Sequence, residues 1–105
     1  RAAELVAAVT QAAQWLAERF PGQRLLFNRL FDVSADGVRL VGRVDVVAIA
    51  GHGAWTAVDV KYVWDAVYAD SGAWEPQAER LRLAMECVSG GPVGDVVRHV
   101  VETAS

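Results

Sequence analysis

The sequence predicts an α/β domain with an αβββαβ core, a mixed sheet flanked by helices. Three observations point there. Residues Ala2 to Phe20 carry Leu5, Val9, Ala12, Leu16 and Phe20 at helical spacing, and the FPGQ segment closes that run with a proline and a glycine. Three strand-like segments then follow one another, separated by the turn-forming SADG and GHG. Finally a second helical stripe and a valine-rich run complete the chain. The order helix, three strands, helix, strand suggests a layered α/β domain with a mixed sheet.

The elements can be justified in order. Arg24 to Val33 and Val38 to Ile49 are separated by Ser34 to Gly37, so they are expected to pair as a hairpin. Gly51-His52-Gly53 is short and glycine-rich, which fits a three-residue hairpin loop leading into a third strand from Trp55 to about Tyr62. The VWDAVYADSGAW segment that follows is long for an ordinary loop. Pro76 is tolerated in a first helical turn, so the second helix is placed from there to about Val88, where SGGP stops it. Val93 to Glu102 is the last strand, and the first three strands are expected to form an antiparallel meander.

Length and composition limit the rest. A chain of 105 residues that is 53% hydrophobic forms one domain with a modest core. Charged residues or glycine interrupt every apolar run before the roughly 20 residues a membrane span needs, and no signal-peptide pattern is present. One cysteine, Cys87, rules out an internal disulfide and a cysteine-rich zinc site, so a cytoplasmic protein is expected, with Cys87 filling core space. The net charge of −3 argues against a basic shell that grips nucleic acid by charge alone, so any phosphate binding must be local. The chain begins on Arg1, which suggests a domain of a longer protein.

Three charges stand where apolar strands would not put them: Asp45, Asp59 and Lys61. Unpaired buried charge is costly, so they need one another or a ligand. Strand alternation puts Asp59 and Lys61 on one face. If Ala50 pairs with Ala54 across the GHG loop, the register sets Asp45 opposite Asp59, with Cβ atoms roughly 4.5–5.5 Å apart. Like charges so opposed repel, which makes sense where a divalent cation lies between them. Carboxylate oxygens suit Mg²⁺ or Mn²⁺, and a lysine alongside would steady negative charge developing on a phosphate or orient a water. The alternative is that Lys61 forms a salt bridge with one or both aspartates at a solvated edge, with Arg43 as a further partner. Gln77, Leu81, Ala84 and Val88 form one stripe of the second helix expected to face the sheet. Gln77 is its polar member, placed either to order a water or phosphate or to make a helix-end hydrogen bond.

Gly42-x-x-Asp45, then Asp59-Val60-Lys61, then a glutamine early in the next helix resembles the PD-(D/E)xK nuclease superfamily, and most of all its RecB-like exonuclease branch. The resemblance covers nearly the whole chain. It implies a restriction-endonuclease-like fold and metal-dependent hydrolysis of DNA phosphodiester bonds. It also implies that Asp45 and Asp59 bind Mg²⁺ or Mn²⁺, that Val60 adds its backbone carbonyl, that Lys61 assists the nucleophile, and that Gln77 matches the family's helix glutamine. The sequence departs from that pattern at Val44, where a proline often stands, and at Leu81, where an aromatic often stands. Glu4 and Glu18 are both candidates for the glutamate that some members supply from the first helix.

The competing reading is a catalytically silent domain of the same fold that binds nucleic acid or protein within an assembly, its acids neutralised by Lys61 and Arg43. A homodimer or larger assembly is expected in either case, because a chain this short offers little surface to hold a duplex. His52 and His99 read as structural residues. Tyr62, Trp64, Tyr68 and Trp74 read as a hydrophobic cluster, with base stacking as the alternative. Arg80, one turn after Gln77, is a solvated helix residue or a phosphate contact.

Overall fold

The computed structural model describes residues 2–63 and 74–102. Helix α1 (Ala2–Arg19) is followed by strands β1 (Arg24–Ala35), β2 (Val38–Ile49) and β3 (Trp55–Val63), helix α2 (Trp74–Ser89) and strand β4 (Val93–Glu102). The sheet order is β1-β2-β3-β4, with β1, β2 and β3 antiparallel in sequence and β4 parallel to β3. A parallel neighbour demands a crossover, and α2 lies within that connection. The expected αβββαβ order and mixed sheet are therefore present, with element bounds within two residues of those read from the sequence.

Burial decides which side chains hold the helices. Helix α1 buries Ala8, Ala12 and Leu16, and Phe20 just beyond it packs with Leu16, Val46, Ala48 and Val58. Leu5 and Val9, expected on that buried stripe, are instead 59% and 57% exposed. Small alanines, not the larger residues, make the close contact with Val101 of β4. On the other sheet face, α2 contributes Leu81, Ala84 and Met85 to a core with Leu40, Val44, Val47, Ala57 and Val93. Met85 takes the place expected for Val88, which is 49% exposed, and Cys87 is exposed, not a core filler. The helix presents its 81, 84 and 85 positions to the sheet, so residue 87 points away.

The GHG turn closes as expected. The Ala50 N–H donates to the Ala54 carbonyl at 3.0 Å and the Gly53 N–H donates to the Ala50 carbonyl at 2.8 Å, with Gly53 at φ 93°. The β1–β2 ladder contains an irregularity with a consequence for the site. Pairs run from Arg24↔Ile49 to Phe27↔Val46 and resume at Arg29↔Val44, leaving Asn28 and Asp45 out of the ladder. Asn28 has φ 53°, a left-handed conformation that asparagine tolerates better than most residues. Alternation changes phase there: Val47 and Val44, three residues apart, share the core beneath α2. Asp45 sits at the phase change.

Among the described residues no helix is long and apolar enough to cross a membrane.

Candidate active site

Two of the three residues singled out from the sequence, Asp45 and Asp59, come together across β2 and β3, with one difference from the expected register. The β2–β3 ladder proceeds from Ile49↔Trp55 to Val46↔Val58, and the next step in that register brings Asp45 to Asp59. The ladder stops short of that step. Instead, the Val60 N–H donates to Asp45 Oδ2 at 2.8 Å, so the carboxylate takes the place of a backbone acceptor where the strands part. The phase change at Asp45 explains this, because a residue between two alternation frames can turn its side chain toward the neighbouring strand.

Asp45 is half-buried, and its carboxyl is held above the usual aspartate value of 3.8 chiefly by burial. The Val60 N–H works the other way. Asp59 raises it further through its charge and a shared side-chain hydrogen bond, and Arg43 lowers it slightly. The two carboxyl groups are thus close enough for each charge to disfavour the other, a pair in which one proton or one cation relieves the repulsion.

Asp59 is anchored from the far side. In the parallel register Asp59 faces Arg98 of β4, and Arg98 Nε donates to Asp59 Oδ2 at 2.9 Å. The same guanidinium donates through Nη2 to Gln77 Oε1 at 3.0 Å and lies 4.4 Å from the centre of the Trp74 ring. Its side chain is 10% exposed. Sequence reasoning missed Arg98, although the signal was available: an arginine within VGDVVRHVV needs a partner for the same reason Asp59 does. Lys61, expected as the aspartates' salt-bridge partner in the bland reading, makes no ion pair among the described residues. It lies two residues beyond Asp59 on β3, half-buried.

A cleft of about 220 Å³ opens beside Asp59 and is lined by Phe31, Leu40, Val41, Gly42, Arg43, Asp59, Gln77, Arg80 and Leu81. It brings Gln77, Arg80 and Arg43 to one opening. Gln77 is exposed at the rim and does not begin a buried face. Gly42 has a packing reason: a Cβ there would stand 2.8 Å from the tip of the Phe31 ring. Neither Glu4 nor Glu18 joins the pair, and no cluster of three or more His, Cys, Asp or Glu exists among the described residues. His99 stacks on Trp15 with ring centres 4.0 Å apart, and burial lowers its pKa. His52 is exposed in the GHG turn. Trp64 and Tyr68 lie outside the described residues.

The donor set fits a hard dication. Asp45 Oδ2 accepts from the Val60 N–H and Asp59 Oδ2 from Arg98 Nε, and Val60 directly follows Asp59 at the strand contact. Mg²⁺ is commonly held by one or two carboxylates while keeping several waters, so a third protein carboxylate is not required. No family model, curated protein or solved structure matches this chain.

Proposed function

We propose that this chain is a divalent-metal-dependent nuclease of the PD-(D/E)xK, restriction-endonuclease-like type that hydrolyses phosphodiester bonds of DNA. The observation that carries the reading is the juxtaposition of Asp45 and Asp59, carboxyls of adjacent strands one step beyond the last β2–β3 pair, with Asp59 lining a cleft shared with Arg43, Gln77 and Arg80. A protein has little reason to keep such a repulsive pair unless something cationic uses it.

Asp45, Asp59 and the Val60 carbonyl would hold Mg²⁺ or Mn²⁺, which supplies Lewis acidity toward a phosphate and a more acidic water. Lys61 serves as the fixed positive charge that steadies the phosphate oxygens as negative charge accumulates, or orients the attacking water. Arg43 and Arg80 provide guanidinium groups for the sugar-phosphate chain, the local basic feature that a net charge of −3 otherwise lacks. The cleft is smaller than a typical pocket for a whole ligand, so it suits a phosphate segment of a strand lying across it. The limited surface favours work as a homodimer or within a larger assembly. A reducing cytoplasmic setting suits a lone exposed cysteine.

A second reading has its own observation. Asp59 is already paired with Arg98, so the site is partly neutralised without a metal, as it would be in a silent nuclease-fold domain that binds nucleic acid or protein. Incubation with plasmid and single-stranded DNA in Mg²⁺, Mn²⁺ or EDTA separates the two. The nuclease reading expects metal-dependent cutting that is lost in Asp59→Ala and Lys61→Ala. No cutting of either DNA in either metal, together with no cation binding by calorimetry, refutes it and leaves the binding module.

A further inference from the structure

Arg98 reaches two residues of the site with one guanidinium, Asp59 through Nε and Gln77 through Nη2. A guanidinium has only N–H donors. Its bond to Gln77 therefore fixes which end of the carboxamide faces it: Oε1 points to Arg98, and the Nε2 amide is turned away. Amide orientation is often ambiguous, but a donor-only neighbour settles it. Gln77 lines the cleft, so the group it has left to offer is a pair of N–H donors, suited to a phosphate oxygen and unsuited to a cation.

The same guanidinium holds Asp59 Oδ2 through Nε. Asp59 is left with Oδ1 as the oxygen for a cation. One planar fork thus joins a residue of β3 to a residue of α2 and assigns each its partner. Burial of the Arg98 side chain and its packing over Trp74 keep the fork in place.

We propose that Arg98 is the positioning residue of this site, turning Gln77 into a phosphate donor while withholding one oxygen of Asp59 and so keeping cation binding weak. The proposal rests on the nuclease reading above. Its consequence is that the two ligands respond in opposite directions when Arg98 is removed. Loss of a positive charge 2.9 Å from a carboxylate oxygen strengthens the pull on a dication. Loss of the Gln77 restraint frees the amide to turn, which weakens the grip on phosphate.

The test uses calorimetric Mn²⁺ binding and, separately, binding of a short fluorescent oligodeoxynucleotide in EDTA, with thermal melting to check folding. In Arg98→Met, Mn²⁺ affinity should rise about tenfold while oligonucleotide affinity falls several-fold. Arg98→Lys keeps the charge but lacks the fork, so it should bind Mn²⁺ like the unaltered protein and still lose oligonucleotide affinity; this variant also serves if the methionine variant does not fold. Gln77→Met should lose oligonucleotide affinity with Mn²⁺ binding unchanged. If folded Arg98 variants lose both affinities together or change neither, Arg98 is merely structural and the proposal fails while the nuclease reading stands. If the unaltered protein binds no Mn²⁺, the nuclease reading fails and takes this proposal with it.

Discussion

Asp45 concentrates the tension in the molecule into one side chain. Its carboxylate satisfies the Val60 N–H, yet it is partly buried against a second carboxylate. The folded pKa is raised above 3.8, so the protonated form is favoured by folding. The stability this provides is full below about pH 3.8 and is lost as pH rises through the higher folded value. At neutral pH an ionised Asp45 therefore weighs against the fold. Asn at this position keeps an acceptor for Val60 and removes the charge. Asp45→Asn should melt a few degrees higher than the unaltered protein at pH 7, a gap that closes toward pH 4. Equal melting temperatures across that pH range would show that Asp45 is not under electrostatic load. Gly42 is a second informative position, because its missing side chain lets the Phe31 ring lie over the strand and shape the cleft.

At the scale of elements, the phase change shared by β1 and β2 sets the site. Asn28 is exposed, so its side chain contributes little to the core, but its φ of 53° defines where alternation shifts. A β-branched residue there meets its own backbone. Asn28→Ile should cost about 1–2 kcal/mol in a denaturant titration, whereas Asn28→Gly should cost nothing measurable. If both variants match the unaltered protein, the backbone is free to leave that conformation and the kink does not position Asp45. The elements themselves were legible in the sequence because each had local punctuation: FPGQ, SADG, GHG and SGGP bound them, and the GHG register brought Asp45 to Asp59. What was not legible lacks a local signal. The phase change depends on one backbone conformation that Asn permits without requiring. The Asp59↔Arg98 pairing depends on the register of a parallel strand reached through a crossover, which no turn residue encodes. Cys87 and Val88 were misplaced because helical spacing defines a stripe only to within about a residue, and here the sheet receives Met85.

For the whole molecule, the question is whether the acidic pair is tied to the stability of the fold or is only a surface feature. The pair joins β2 to β3 at the point where their ladder ends, and Arg98 joins β3 to β4 and α2, so four elements meet around two carboxylates. A cation that binds only the folded arrangement must stabilise it by mass action, because the unfolded chain does not hold Asp45 and Asp59 together. At a concentration about a hundredfold above the dissociation constant, that stabilisation is about 2.7 kcal/mol. For a domain near this length, it corresponds to a rise in melting temperature on the order of 10 °C. Melting curves in Mg²⁺ or Mn²⁺ against EDTA should show that rise at pH 7, and it should shrink as pH falls and a proton competes for Asp45. The variant combining Asp45→Asn with Asp59→Asn should melt identically with and without metal. If it retains the full metal-dependent rise, the cation binds elsewhere and the acidic pair is not a metal site.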